Sequence, residues 1–219
     1  MKLSVVQDIL NANDQLALQN RQLLNGNGIC VINLMASPGS GKTSLILRTI
    51  DALCQSLRIG VIEGDIASTV DSDRVAAKSV PVVQINTGGQ CHLDAPMVRR
   101  ALTQLPLPDL DLILIENVGN LVCPVDFKLG EDTNVVVASV PEGDDKPYKY
   151  PGIFLAVDAV VINKVDLLPY LRFDLAAFRK LVTGMNPGVS IFEVSCETGQ
   201  GIGDWTEWLV GQRQAKLEE

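Results

Sequence analysis

The sequence predicts an α/β fold: a mostly parallel, twisted sheet of about seven strands with helices on both faces, preceded by an N-terminal helix. Two observations support this prediction. Short runs rich in apolar and β-branched residues recur along the 219-residue chain, and most are separated by segments able to form helices. Near-continuous apolar strands that alternate with helices are typical of a parallel sheet covered on both faces. The runs are Ile29–Met35, Ile59–Ile62, Val82–Ile85, Leu110–Ile115, Val135–Val140, Val160–Ile162 and Ile191–Val194.

The segment before the first strand has a different period. Residues 4–24 carry apolar side chains near helical spacing, and the turn sequence Asn25-Gly26-Asn27-Gly28 follows them. This pattern predicts an amphipathic helix over about 4–24, packed on or beside the sheet. Internal repeats and low-complexity linkers are absent, so we expect a single domain over residues 1–219. The prolines and charges of Pro141–Pro151 predict an exposed, irregular loop.

Composition excludes several classes of protein. The chain has 18 Lys and Arg against 26 Asp and Glu, so its formal charge of -8 argues against binding nucleic acid through the phosphates. Its apolar stretches are shorter than the roughly 20 residues that span a bilayer, and its N-terminus lacks the features of a secretory signal. Five cysteines, an odd number, do not make a disulfide framework in a chain of this size. We therefore expect a cytoplasmic protein with reduced thiols and neither a membrane nor a nucleic-acid partner.

A glycine-rich loop follows the first predicted strand. Residues 36–43, Ala-Ser-Pro-Gly-Ser-Gly-Lys-Thr, match the phosphate-binding P-loop pattern except that Ala36 replaces its first Gly. A helix is predicted next, over Thr43–Ser56, so backbone N–H groups and the helix N-terminus can cradle phosphates. Lys42 would reach the outer phosphates, and the fold is therefore predicted to be that of a P-loop NTPase. The predicted nucleotide contacts are Gly39, Ser40, Gly41, Lys42, Thr43 and Ser44.

A second motif predicts which base is bound. Asn163-Lys164-Val165-Asp166 follows the sixth apolar strand. The Asp166 carboxylate can accept hydrogen bonds from N1–H and the 2-amino group of guanine, whereas adenine offers neither donor at that edge. Asn163 would brace the neighbouring loops, and the stem of Lys164 would cover a base face. GTP and GDP are therefore the predicted nucleotides.

A further loop that could contact the base follows the last predicted strand. Ser195-Cys196-Glu197-Thr198-Gly199 has the residue types of such a loop. Ser195 and Cys196 are accordingly candidate nucleotide contacts. A plain strand-to-helix turn accounts for Cys196 and Glu197 about equally well.

Candidates for magnesium and the γ-phosphate lie between these motifs. Asp65 follows the second strand, and Glu116 follows the fourth at the place of a Walker-B acid. Gly119 can bring its N–H to a γ-phosphate. Asn120 stands where many GTPases carry a water-orienting Gln, so we expect slow intrinsic hydrolysis. The predicted catalytic residues are Lys42, Asp65, Glu116 and Gly119, and the predicted Mg²⁺ ligands are Thr43, Asp65 and Glu116.

The only histidine of the chain, His92, stands next to Cys91. An isolated pair of this kind is more often structural than metal-binding. Here Asp94-Ala95-Pro96 predicts a helix running to about Gln104, and a thiol close to a helix N-terminus has its thiolate favoured. Cys123 comes four residues after Gly119 and so supplies a third soft ligand on the segment expected to respond to the γ-phosphate. Since three ligands do not close a tetrahedral or square-planar site, twofold dimerisation is predicted to complete it.

These stretches together resemble a known family. The sequences NLMASPGSGKTSL, VIEGDIAS, NTGGQCHLDAPMV, LILIENVGNLVCPVDF, SVPEGDDKPYKYP, INKVDLLPY and NPGVSIFEVSCETGQGIGDWTEWL are similar to the HypB family of hydrogenase nickel-incorporation GTPases, in the SIMIBI class. The resemblance implies a GTP-favoured homodimer that helps deliver Ni²⁺ to [NiFe]-hydrogenase large-subunit precursors, alongside a HypA-type metallochaperone. It also implies that Cys91, His92 and Cys123 form a metal site for Ni²⁺ or Zn²⁺.

The sequence departs from some members of that family. It carries neither a Cys-rich motif nor a His-rich tract near its N-terminus, so we expect metal handling to depend on the Cys91, His92 and Cys123 site alone. Our hypothesis is that GTP and Mg²⁺ reposition Cys123 relative to Cys91 and His92. Two alternatives stay open, namely a metal-independent regulatory GTPase and a urease-type nickel-insertion GTPase, whose usual Cys-Pro-His motif is absent here.

Overall fold

The computed structural model describes residues 5–65 and 74–218, and it contains a seven-stranded sheet. The strands are β1 (Cys30–Ala36), β2 (Ile59–Asp65), β3 (Val82–Asn86), β4 (Leu112–Gly119), β5 (Thr133–Ser139), β6 (Ala159–Asn163) and β7 (Ser190–Glu193). The helices are α1 (Val5–Gly26), α2 (Lys42–Leu53), α3 (Ala95–Leu102), α4 (Lys146–Lys149), α5 (Pro151–Ala156), α6 (Leu175–Met185) and α7 (Ile202–Glu218). All seven predicted strands are present, and the predicted fold class is confirmed.

The order of the strands brings the predicted motifs to one edge of the sheet. The order is β3-β2-β4-β1-β5-β6-β7, and every pair of neighbouring strands is parallel. The carboxyl ends of the strands therefore meet at a common edge. In open α/β sheets this is the edge where ligands bind.

Side chains of β1 alternate between two apolar layers because successive side chains of a strand point to opposite faces. Ile32 and Leu34 face the layer covered by α2 and α7, with Trp205 at its centre. Val31, with Ile29 just before the strand, faces the layer covered by α1 and α3, while Met35 packs with α5 and α6. Every residue of β1 is buried, as expected for the central strand of a covered parallel sheet.

Helix α1 is attached to the sheet by polar side chains as well as by its apolar stripe. The buried Asn20 side chain donates to the backbone carbonyls of Ala95 (3.0 Å) and Leu129 (2.9 Å). The Asn13 side chain accepts from the N–H of Ala95 at 2.8 Å. Because Ala95 is the first residue of α3, α1 supports the helix that follows the Cys91 and His92 loop.

Two local predictions are corrected. The segment Pro141–Pro151 is not an irregular loop, because it contains most of the 3₁₀ turn Val140–Glu142, all of α4 and the start of α5. Proline stands in the first turn of each of these elements, where its missing N–H leaves no hydrogen bond unmade. Helix α2 ends at Leu53, three residues before the predicted end. Within the described ranges, none of the helices combines the length and apolar character needed to cross a membrane.

Candidate functional site

The loop between β1 and α2 borders a cleft of about 480 Å³. Lys42 and Thr43 lie in the first turn of α2, and Gly39, Gly41 and Ser44 also line the cleft. Gly41 has φ +98°, and a Cβ at this position would lie 2.3 Å from Asn163 Nδ2. Only glycine suits this backbone conformation and this contact.

Oxygen atoms converge at the floor of the cleft. The Thr43 hydroxyl donates to Glu116 Oε1 at 3.0 Å, and Lys42 Nζ lies 3.9 Å from the same oxygen. Asp65, at the end of β2, lines the same cleft. One hydroxyl and two carboxylates next to a phosphate cradle form a set of hard oxygen donors that fits Mg²⁺.

Gly119 packs against the phosphate loop. A Cβ on Gly119 would lie 3.0 Å from Pro38 Cγ and 3.1 Å from Pro38 N, so the end of β4 touches the loop backbone directly. Glu116 belongs to β4, which extends to Gly119 rather than ending before the acid. Gly119 therefore links the phosphate loop, by direct contact, to the residues that follow it in the chain.

The Asn163–Asp166 loop is tied to the phosphate loop. Asn163 Nδ2 donates to Ser40 O at 2.9 Å, and its Oδ1 accepts from the Cys196 N–H at 3.3 Å. Lys164 adopts a left-handed conformation with φ 63°, which carries its ammonium to Gly39 O at 2.7 Å. Asn163 therefore braces three loops together, in the manner the sequence predicted.

Asp166 presents a buried acceptor beside this brace. Its Oδ1 is buried and accepts no hydrogen bond from the described part of the chain. A buried carboxylate oxygen without a donor is unfavourable, so the geometry suits a ligand that brings N–H groups to this point.

The loop after β7 closes mainly on itself. The Ser195 side chain accepts from the Thr198 N–H at 3.1 Å, and Arg48 of α2 donates to the carbonyls of Cys196 (2.6 Å) and Glu197 (2.8 Å). Burial raises the pKa of the Cys196 thiol to about 11. Cys196 is thus a neutral thiol whose backbone is fixed by Asn163 and Arg48.

The three predicted soft ligands lie together in one chain. One ligand atom from each of Cys91, His92 and Cys123 falls within 4.8 Å of the other two, and Cys91 Sγ is 3.7 Å from His92 Nδ1. Cys123 begins a 3₁₀ turn, Cys123–Asp126, four residues after the end of β4 at Gly119. The imidazole of His92 stacks on Phe127, with ring centroids 3.9 Å apart and an interplanar angle of 25°.

Electrostatics at this cluster differ from the prediction for Cys91. Its pKa is raised, first by a hydrogen bond with the Cys123 thiol and then by burial, and a hydrogen bond from Asn120 opposes this shift. The expected lowering of the pKa of Cys91 is therefore wrong, because the neighbouring Cys123 thiol and burial both raise this pKa. Burial lowers the pKa of His92, which favours the neutral imidazole that binds metals.

Sequence reasoning missed three contacts around the cluster. Asn120, expected at a water-orienting position, donates to Cys91 O at 3.3 Å instead. Asn117 accepts from the Leu93 N–H at 3.1 Å, and Phe127 supports the His92 ring. The sequence signal was available in ENVGN, where two asparagines stand on either side of Gly119, but their partners are fixed only by the tertiary structure.

Fold and site together define a P-loop nucleotide-binding protein with a cluster of soft metal ligands beside its phosphate cleft. Residues 30–193 match the family described as CobW/HypB/UreG, nucleotide-binding domain. Known relatives narrow this class, and the chain belongs to the HypB family of hydrogenase maturation factors.

Three comparisons support this assignment. The hydrogenase maturation factor HypB of Azotobacter chroococcum is 47% identical over 215 residues, which cover 98% of this chain and 70% of that protein. The crystal structure of HypB from Archaeoglobus fulgidus aligns with a TM-score of 0.87 at 42% identity, covering 93% of this chain and 99% of that one. HypB from Helicobacter pylori, whose crystal structure is a complex with nickel, aligns with a TM-score of 0.89 at 36% identity, covering 93% and 96%.

Proposed function

We propose that this protein is a GTP-hydrolysing metallochaperone that helps insert nickel into [NiFe]-hydrogenase precursors. One observation carries the proposal: ligand atoms of Cys91, His92 and Cys123 come within 4.8 Å of one another, and Cys123 lies on the segment that follows Gly119. Gly119 itself lies against the phosphate loop. Nucleotide state and metal binding are therefore expected to be linked through one stretch of backbone.

GTP is the proposed nucleotide. The buried Asp166 Oδ1 supports guanine, whose N1–H and 2-amino donors would satisfy it, whereas ATP would leave it without a donor. Ser195 and Cys196 are proposed to border the base through the backbone. The phosphates are proposed to lie on the N–H groups of Gly39, Ser40, Gly41, Lys42, Thr43 and Ser44.

Thr43, Asp65 and Glu116 are the proposed Mg²⁺ ligands, directly or through water. When bound, Mg²⁺ neutralises charge that develops on the β- and γ-phosphates during transfer. Lys42 is proposed to stabilise the same charge, and the Gly119 N–H to contact the γ-phosphate. Intrinsic hydrolysis is proposed to be slow, since the Asn120 amide is already hydrogen bonded to Cys91 and Val122.

Nickel is the proposed cargo of the Cys91, His92 and Cys123 cluster, and Zn²⁺ suits the same donors. Three donors leave at least one coordination position to be filled. The half-buried position of the ligands supports a second copy of the chain as its source, in a GTP-favoured homodimer. The nickel complex of the Helicobacter pylori relative supports the choice of metal.

The proposed partners follow from the family. They are a HypA-type nickel metallochaperone and a [NiFe]-hydrogenase large-subunit precursor. We propose a cytoplasmic location, which the free state of all five cysteines supports because thiols stay reduced there.

The experiment that tests this function replaces Cys91 and His92 together with alanine. Nickel-dependent activation of a purified hydrogenase precursor, with a HypA-type partner and GTP, is measured for both proteins. We expect activation to fall at least about tenfold in the double variant, because two of three metal donors are lost. GDP affinity should stay within about twofold, because these side chains lie outside the phosphate cradle.

Two controls sharpen the result. Cys54→Ala removes an exposed thiol elsewhere and should activate like the wild type. ATP in place of GTP should support no activation. Full activation by the Cys91→Ala, His92→Ala protein would instead identify a metal-independent switch.

A further inference from the structure

Two asparagine side chains attach the Cys91 and His92 loop to the end of β4. Asn120 Nδ2 donates to the carbonyl of Cys91 at 3.3 Å, and Asn117 Oδ1 accepts from the N–H of Leu93 at 3.1 Å. These bonds bracket His92 on its two sides. We call Asn117 and Asn120 the asparagine clamp.

The clamp residues are themselves fixed in orientation. Asn117 is fully buried, and its Nδ2 donates to Asn33 Oδ1 at 3.2 Å. Asn120 Oδ1 accepts from the Val122 N–H at 2.8 Å, which leaves its Nδ2 for Cys91. Asn117 is buried and Asn120 half-buried, and each amide uses both its donor and its acceptor, so neither group is left unpaired.

The ends of β4 and β2, which border the phosphate cleft, both contact the Cys91 and His92 loop. Gly119 stands between the two asparagines in sequence, and Asn120 forms an isolated bridge with Ala36, the last residue of β1 and the first of the phosphate-loop motif. On the other side, a Cβ on Gly64 would lie 2.7 Å from Leu93 Cγ, so the end of β2 packs on the buried Leu93. The Cys91 and His92 loop thus rests on the ends of β2 and β4, the segments expected to move with the γ-phosphate.

Resting on the proposed function, we infer that the asparagine clamp positions Cys91 and His92 according to nucleotide state, so that all three metal ligands respond together. Of the three metal ligands, only Cys123 lies on the chain segment that follows Gly119. The other two can respond to that segment only through non-covalent contacts. Cys91 and His92 are 27 to 28 residues earlier in the chain and have no such covalent path. The two amides supply the missing connection, so Asn117 and Asn120 are positioning residues and not metal ligands.

The test uses Asn120→Ala and the full-length protein. Nickel affinity is measured by competition with a chromophoric chelator, once with GDP and once with a non-hydrolysable GTP analogue. We expect the Asn120→Ala protein to bind nickel in both nucleotide states. The ratio of its nickel affinities with the analogue and with GDP should lie about fivefold closer to one than in the wild type, because one neutral hydrogen bond contributes about that factor. The thiolate-to-nickel absorption band should lose its dependence on the nucleotide.

Reciprocity gives a second measurement. If nickel and nucleotide are coupled, nickel must change the ratio of the affinities for the GTP analogue and for GDP by the same factor, and Asn120→Ala should reduce both factors equally. Asn86→Ala is the matched control, because its side chain accepts a local bond from the Gly88 N–H within the adjacent loop. Asn120→Gln, which keeps an amide donor, should restore part of the ratio.

The outcomes separate the two hypotheses. Equal nickel affinities with GDP and analogue in the wild-type protein would overturn nucleotide gating itself. A wild-type ratio that differs from one but is unchanged in Asn120→Ala would overturn the clamp and leave the proposed function standing. Equal weakening of nickel binding in both nucleotide states would also overturn the clamp, since it would show a purely structural role.

Discussion

The phosphate cleft and the Cys91, His92 and Cys123 cluster share one edge of the sheet, yet they are built in opposite ways. Five polar residues in or next to the cleft are more than nine-tenths buried, namely Ser40, Lys42, Thr43, Glu116 and Asn163. The three soft ligands are only half-buried. The phosphate loop at the centre of the cleft is one contiguous stretch of sequence, whereas the cluster is assembled from two distant segments.

This difference matches what each site has to do. A phosphate cradle gains from fixed N–H groups, because no reorganisation is then needed when the nucleotide binds. A site that releases its metal has to change geometry, and side chain to backbone hydrogen bonds between separate segments permit that more readily than a packed core. We therefore expect small structural changes to abolish function in the cleft and only to adjust it at the cluster.

Gly41→Ala should have the largest effect. The new Cβ would lie 2.3 Å from Asn163 Nδ2 at φ +98°, so the loop has to open and the Asn163 to Ser40 bond is lost. The left-handed strain and the unpaired buried groups together amount to about 3 to 5 kcal/mol. Affinity for GDP, measured by fluorescence titration, should fall at least about 100-fold.

Gly28→Ala is the matched control for this substitution. Gly28 also has positive φ, +65°, but nothing lies within 4 Å of its Cβ position. It should lose about 1 kcal/mol of stability from strain alone and keep its GDP affinity. Nickel affinity without nucleotide should change by less than about twofold in both variants. Wild-type GDP affinity in Gly41→Ala would show that the loop is not preorganised.

The same contrast explains which parts of the molecule could be predicted from the sequence. The seven strands and the phosphate loop are encoded in contiguous residues, so their periodicity and spacing were sufficient. The proximity of Cys123 to Cys91 was implied by the family resemblance and not by periodicity or spacing. The contacts of Asn120 and Phe127 depend on how separate segments pack, which periodicity does not report.

Prolines account for the clearest local error. Pro141, Pro147 and Pro151 were interpreted as marks of an irregular loop, although each stands in the first turn of a short helical element. Proline is found both where a helix is interrupted and in the first turn of a new helix, so its presence alone does not distinguish a loop from a helix start. Only the burial of Val140, Ile153 and Phe154 against β5 and β6 decides between these interpretations, and burial is a property of the whole fold.

A change of pH is expected to have an intermediate effect on nickel affinity. Nickel binds the thiolate, and the raised pKa of Cys91 keeps it protonated near neutral pH, so metal and proton compete. Affinity should therefore rise at least about tenfold between about pH 7 and about pH 8, one factor of ten for each displaced proton. His92 adds no slope in this range, because its lowered pKa leaves the ring neutral. Competition with a chelator of known pH dependence measures this.

The cleft provides the comparison for the pH experiment. Backbone N–H groups do not titrate, so GDP affinity should change by less than about twofold over the same range. Cys91→Ser should reduce the slope of nickel affinity by one proton. An unchanged slope in that variant would show that the displaced proton comes from another group.

The smallest effect is expected for Phe127→Leu, which removes the ring stacked 3.9 Å from His92 but keeps an apolar side chain. Such ring pairs contribute about 0.5 to 1.5 kcal/mol beyond area burial, so nickel affinity should fall about two- to tenfold while GDP affinity is unchanged. Phe173→Leu, in a ring pair 5.4 Å apart within the α6 core, is the control and should lower stability without changing nickel affinity.

Because the Phe127 ring lies on the same segment as Cys123, its loss should also reduce the difference in nickel affinity between nucleotide states. A variant with wild-type affinity in both states would mean that the imidazole is oriented by the backbone around Cys91 and Leu93 alone, and that the cluster is more rigid than its half-exposed position indicates.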